Sequence, residues 1–223
     1  MTYGVFFLLL AGGLGMYAVA TGGWYLVLLW PALSLMIVAS GYLGLGPRVF
    51  GKRSDGTLPL LSCLLLFPFL AGLWIVWRVA VLISREPKLH ELIPNVLIGR
   101  RLLSHELPPD VDVVVDLTCE FVEPRAVRSV STYLSFPILD DTSCDPRLLV
   151  EFVRTLASQE GQMFIHCAQG HGRTGLVATT LLLAAGHASS VEEAVHLLKS
   201  ARPLARLNAN QMEALRRVAA ASS

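Results

Sequence analysis

The chain has 223 residues and a formal net charge of +1 at neutral pH. That length allows one ordinary domain plus a smaller part, and that charge excludes a global bias toward nucleic acid. The average hides a divided chain: residues 1–47 contain no Asp, Glu, Lys, Arg or His, and residues 48–84 add only Arg48, Lys52, Arg53, Asp55 and Arg78. The four cysteines, Cys63, Cys119, Cys144 and Cys167, form no CxxC pair and match no structural zinc spacing, which favours a reduced compartment over a disulfide scaffold.

Three apolar segments, about 3–20, 24–43 and 58–83, reach the roughly 17–25 residues that a membrane-spanning helix needs. Only Thr21-Gly22-Gly23 separates the first two, which predicts a tight helical hairpin. Trp24, Tyr25, Trp30, Tyr42, Trp74 and Trp77 sit near segment ends, where a bilayer interface favours aromatic rings. Pro68 is compatible with a membrane helix, because neighbouring groups satisfy the carbonyl it frees. A signal peptide is disfavoured for the first segment, since no basic stretch precedes it and no polar chain follows. Residues 1–84 are therefore expected to form a membrane domain whose partner is the lipid bilayer. Three spans put the basic loop carrying Arg48, Lys52 and Arg53 on one face, and Arg78, Arg85, Lys88, Arg100 and Arg101 on the other. The positive-inside rule and the need for a reduced thiol together favour a cytoplasmic domain from residue 85 to residue 223.

A connector over 79–95 carries Pro87 and Pro94, and beyond it strands and helices alternate. Strands are expected at 95–99, 111–117, 133–139 and 162–166. Helices are expected at about 146–158, 174–186, 190–199 (opened by Ser190 with Glu193 in a capping pattern) and 208–218. This order predicts an α/β sheet covered on both faces.

The chemistry concentrates where the fourth strand meets the second helix, in His166-Cys167-Ala168-Gln169-Gly170-His171-Gly172-Arg173-Thr174-Gly175. Cys167 and Arg173 bracket five residues, but spacing alone is not decisive. Cys119 and Arg125 repeat it, with Glu120, Glu123 and Pro124 in between, where carboxylates repel an anion and proline removes an amide donor. Around Cys167 the glycines allow Ala168, Gln169, Gly170, His171 and Gly172 to turn amides inward as an anion cradle. A helix N-terminus points at the same place, and Arg173 adds a planar fork that grips two phosphate oxygens. A free thiol is only about 3% ionised at pH 7, and helix N-termini and cations enlarge that fraction, which activates a sulfur nucleophile. Thr174 offers a hydroxyl to the sulfur as well as a cap to the helix. A leaving oxygen needs a proton donor, and Asp140 or Asp141, at the end of the third strand, is the candidate acid; Asp145 is expected to cap the helix at Pro146.

These residues resemble the dual-specificity branch of the cysteine-based protein tyrosine phosphatases, whose signature is His-Cys-x5-Arg-[Ser/Thr], matched by His166, Cys167, Arg173 and Thr174. The likeness extends to 95–100, 113–118, Pro137-Ile138-Leu139-Asp140, and Ala201-Arg202-Pro203 with Asn208. It implies a phosphocysteine on Cys167, phosphate binding by Arg173, an acid at Asp140 or Asp141, a shallow site, and no metal or other cofactor. Pro137-Ile138-Leu139-Asp140 places Asp140 first, whereas the Asp-Thr pair of some relatives selects Asp141.

Two substrate classes follow. One is a phosphorylated protein. The other is a phospholipid or phosphoinositide head group, suggested by the Gly-Arg-Thr-Gly ending shared with phosphatases of the tensin-homologue type; the lysines those carry in the loop are replaced here by Ala168, Gln169 and His171. A silent phosphate-binding anchor is disfavoured because nucleophile, arginine, hydroxyl and acid are all present. A rhodanese-like sulfurtransferase is disfavoured by Arg173-Thr174 and the upstream aspartates.

Overall fold

The computed structural model describes residues 2–222. The chain forms two compact units, residues 1–84 with 119–122, and residues 85–118 with 123–223.

In the first unit, α1 (Thr2–Thr21) and α3 (Leu60–Ile83) are continuous helices. Between them lies a helical stretch, Gly23–Phe50, whose central part is α2 (Leu29–Ser40). That stretch runs past the expected end at residue 43. It continues through a wide turn over Gly41–Leu45, broken by Gly44 at φ 140°, and a tight 3-10 turn over Gly46–Phe50. All three stretches are long and apolar enough to cross a membrane. Leu9 is 71% exposed and Leu60 75% exposed, a pattern that water penalises and hydrocarbon accepts. Trp30 ties the second stretch to α3, stacking on Phe67 and donating to the Leu64 carbonyl at 2.9 Å.

The second unit is built on five strands in the order β1-β2-β5-β3-β4: β1 (Leu89–Ile93), β2 (Val96–Arg100), β3 (Val111–Thr118), β4 (Thr132–Ile138) and β5 (Gln162–Cys167). Strand β1 is antiparallel to β2, and the other pairings are parallel. Residues 89–93, expected to lie in an irregular connector, thus form an edge strand. Leu-His-Glu-Leu-Ile alternates too little to announce one, and the turn at Asn95, with φ 65°, folds it back on β2.

Strand pleating sends successive side chains to opposite faces. Met163, Ile165 and Cys167 of β5 join Val113, Val115 and Leu117 of β3 on one face. There they pack against α5 (Pro146–Ala157), α6 (Gly172–Ala184) and α8 (Ala209–Ser222). Phe164, Val114, Val111 and Leu97 point the other way, toward Leu102, Leu107 and Val127. That second face is covered by loop residues and by α4 (Arg125–Arg128), a single turn that the sequence pattern did not signal. Helix α6 is buried at every position from Arg173 to Leu182, as an apolar helix at the centre of a fold must be. Helix α7 (Val191–Ala201) starts with Ser190, whose hydroxyl accepts from the Glu193 amide. Asp145 caps α5 in the same way, accepting from the Arg147 amide at 2.8 Å.

Candidate active site

Parallel β5, central in the sheet, delivers Cys167 to the start of α6, where the residue is only 3% exposed. Gly170 follows at φ 75°, and its N–H donates to Cys167 Sγ at 3.2 Å. The left-handed conformation explains one reason for glycine here, and the Gly99 carbonyl and Arg100 amide, which a Cβ would meet, explain the other. The loop is also held at its outer carbonyls: the Arg101 N–H donates to Ala168 O at 3.3 Å, and Arg202 Nη2 donates to Gln169 O at 3.0 Å.

His171 stands at the helix N-cap without capping it. Its Nε2 donates to Glu86 Oε2 at 2.8 Å, since an ionised carboxylate only accepts. The His171 side chain, which stands in the loop where related phosphatases carry a lysine, is therefore already engaged by Glu86. Gly172 packs beneath the side chain of Gln211, whose Oε1 lies 2.9 Å from where a Cβ would sit.

Arg173 is 1% exposed. Its Nη1 donates to Ile138 O at 3.0 Å, and its Nη2 lies 3.1 Å from Asp140 Oδ1. Asp140 is mostly solvent-exposed and marks the mouth of the site. Asp141, at φ 57°, is held elsewhere: Asn208 Nδ2 donates to both its carbonyl and its Oδ1, each at 2.8 Å. Gln211 Nε2 donates to the Thr142 carbonyl at 3.0 Å, so the start of α8 grips the whole turn after β4. Thr174 is the third residue of α6 and does not cap it; its hydroxyl is fully buried and finds no hydrogen-bond partner among the described residues.

His166, next to Cys167 in sequence, faces the other side of the sheet, stacked on Phe164. There it clusters with Asp116 and Glu123, one potential ligand atom from each lying within 4.8 Å of the others. The carboxylates are already bound, Asp116 by the Thr118 amide and hydroxyl and by the Tyr133 phenol, and Glu123 by Arg101 at 2.6 Å. Burial, then Asp116, pushes the Tyr133 phenol far above its ordinary range. Cys144 is half-buried in the stretch after Asp140 and Asp141, and burial pushes its thiol up to about 11. At Cys119 the amide donates to Glu120 Oε2 at 2.9 Å, so a carboxylate fills the place an anion would take.

The sheet order, the cysteine at the end of its central strand, and the arginine on the following helix define a cysteine-based phosphatase fold. Residues 109–220 match the dual specificity phosphatase catalytic domain, and the chain belongs to that family. A tyrosine phosphatase designated 197R, from Invertebrate iridescent virus 6, is 33% identical over 84 residues, 32% of this chain and 31% of that protein. The chain thus matches about a third of the length of that curated relative. The crystal structure of Tk-PTP in the active form is 28% identical, with a TM-score of 0.55 over 60% of this chain and 97% of that one. A variant of human DUSP28 (22% identical, TM-score 0.55, 61% and 97% covered) and PTPMT1 in complex with PI(5)P (20%, 0.52, 61% and 100%) share the fold.

Sequence reasoning missed Glu86 and Gln211 altogether and met Arg202 only as part of a motif. Glu86 lies in a stretch that reads as linker, and no local pattern connects it to a loop 85 positions away.

Proposed function

We propose that the chain is a membrane-anchored phosphomonoester hydrolase that works through a phosphocysteine on Cys167. The observation that carries this reading is the Gly170 N–H aimed at the Sγ of the buried Cys167, with Arg173 buried in the first turn of the helix that follows the same loop. In the first half-reaction the thiolate attacks phosphorus, an S–P bond forms and the ester P–O bond breaks. The carboxyl of Asp140 gives its proton to the departing oxygen. The loop amides and Arg173 hold the three non-bridging oxygens as charge shifts among them. In the second half-reaction water attacks phosphorus, its proton passes to Asp140, and the S–P bond breaks. The Thr174 hydroxyl donates to the sulfur as it leaves. Residues of this chain account for every proton, and no step calls on a metal.

Phosphorylated protein is the substrate class this reading favours. The loop has no lysine, and Glu86 already holds His171, so little charge is left for a head group with several phosphates. The phospholipid reading draws on the three apolar stretches, which would concentrate a lipid substrate, and on PTPMT1, which was crystallised with PI(5)P. The anchor is residues 1–84, the catalytic part is residues 85–223, and the catalytic part faces the cytoplasm.

The test uses the full chain in detergent micelles, assayed on para-nitrophenyl phosphate with a chelator present. Turnover is expected, and Cys167→Ser is expected to abolish it; an active Cys167→Ser chain would overturn the mechanism. Initial rates on phosphopeptides and on phosphoinositide vesicles then separate the substrate classes, with faster turnover expected on peptides.

A further inference from the structure

We infer that Glu86, the third residue after the end of α3, is a positioning residue for the phosphate-binding loop, acting through Arg202 and His171. The inference rests on Cys167 being the nucleophile. It begins with one peptide unit. A trans peptide is planar, so the carbonyl of Gln169 and the N–H of Gly170 point in opposite directions. Arg202 Nη2 holds that carbonyl on the outside of the loop at 3.0 Å, and the N–H on the other edge of the plane is the one that meets Cys167 Sγ at 3.2 Å. Rotating the plane loses both bonds together.

Arg202 is in turn set by the segment that enters the domain. It is 1% exposed, and a guanidinium has five donors in one rigid plane. Nη1 donates to the Pro87 carbonyl at 3.1 Å and to His90 Nδ1 at 2.9 Å. Nη2 donates to Glu86 Oε2 at 2.9 Å. Three donors are thus oriented by residues 86–90, and the remaining Nη2 donor has one direction left, toward Gln169 O. Burial, then Arg202, lowers the His90 imidazole below its usual value, which keeps Nδ1 an acceptor. Glu86 Oε2 also receives His171 Nε2. One carboxylate oxygen therefore binds the loop twice, through the arginine behind residue 169 and directly at residue 171. It also supplies the counter-charge without which a buried guanidinium is costly.

Charge and position make opposite predictions. If Glu86 acted only as a nearby negative charge, removing it would favour the thiolate and speed its reactions. If it acts by position, removing it frees the peptide plane and slows them.

The experiment measures alkylation of Cys167 by iodoacetamide at fixed pH, read by mass spectrometry of the peptide carrying Cys167, together with kcat/KM on para-nitrophenyl phosphate. Both use the full chain in micelles. Glu86→Gln is expected to lower both by about tenfold, the scale of a small misplacement at a reacting centre. In an Arg202→Lys background the same change is expected to add little, because the two residues act on one plane. Unchanged or faster alkylation, or fully additive losses, overturns the proposal. If Glu86→Gln does not fold, Glu86→Asp keeps the charge and withdraws it by one methylene: slower alkylation supports the proposal and an unchanged rate overturns it. A wild-type chain that alkylates at Cys167 yet hydrolyses no phosphate ester would refute the enzymatic reading and leave the alkylation comparison to decide this one.

Discussion

Arg173 Nη2 lies 3.1 Å from Asp140 Oδ1, while the adjacent Asp141 turns to φ 57° and is bound by Asn208. Two neighbouring aspartates, of which the family resemblance ranks Asp140 first, thus occupy different places, one beside the Arg173 guanidinium and one in a turn held by Asn208. Asp140→Asn is expected to slow hydrolysis of phenyl phosphate, whose leaving oxygen needs a proton, by about 10²–10⁴-fold. Asp141→Asn should cost less than about tenfold, because asparagine tolerates the left-handed conformation and the Asn208 bond to the carbonyl survives. Steady-state kinetics on both variants decide the matter, and a larger loss at Asp141 would reverse the assignment.

Gly170 and Gly172 look alike in sequence but meet different obstacles. A Cβ on Gly170 would run into the backbone of Gly99 and Arg100 at a positive φ, whereas one on Gly172 would press on the end of the Gln211 side chain. Backbone does not move aside, and a non-glycine residue at such a φ costs on the order of 1–3 kcal/mol when the surroundings fix it. Gly170→Ala is therefore expected to lower both thermal stability and turnover, and Gly172→Ala to do so less. Melting temperature and kcat/KM measured together check this order. Equal effects would mean that the close approach to β2 does not constrain the loop.

The same contrast shows what the sequence makes legible. The strand, loop and helix around Cys167 are local, and their amide and glycine chemistry can be read from ten consecutive residues. The β-branched run of β3 and the periodic face of α5 are equally plain. Strand β1 escaped because its five residues do not alternate cleanly, and an edge strand is defined by its partner β2 rather than by its own pattern. The sheet is covered on both faces as expected, but loop residues such as Leu102 and Leu107 do part of the covering on the second face, and no periodic run announces them. Contacts from Glu86 to His171 and from Asn208 to Asp141 join residues 85 and 67 positions apart, which no periodicity encodes.

Glu106 gives the second unit a pH-dependent brace beside the Cys167 loop. Partial burial raises its carboxyl, but the Arg100 hydrogen bonds at 2.9 Å, the Leu103 amide and Lys88 outweigh that and bring it down to about 2. A carboxyl depressed from 4.5 to about 2 stabilises the fold fully above pH 4.5, and the stabilisation is lost as pH falls toward 2. Because Arg100 stands in register with Cys167, losing the brace is expected to loosen the strand end beside that cysteine. Urea midpoints at pH 5 and pH 3 should therefore differ more in the wild-type chain than in Glu106→Gln. An identical pH dependence in the two would show that Glu106 contributes nothing to acid sensitivity.

Thr174 separates stability from catalysis. A fully buried hydroxyl without a partner among the described residues is a liability for folding, because burying an unmatched polar group costs free energy. Thr174→Val keeps the shape and removes that cost, so its melting temperature is expected to match or exceed that of the wild type. If the hydroxyl donates to the sulfur as the S–P bond breaks, the same change slows hydrolysis of the phosphocysteine. A hydrogen bond to a charged group is worth about 1.5–3 kcal/mol, so kcat should fall by about 10–10²-fold. Formation of the intermediate does not need this donor, so rapid mixing with para-nitrophenyl phosphate should show a burst near one equivalent of product followed by slow turnover. Loss of rate without a burst would place the hydroxyl in the first half-reaction, and an unchanged kcat would reduce Thr174 to packing alone.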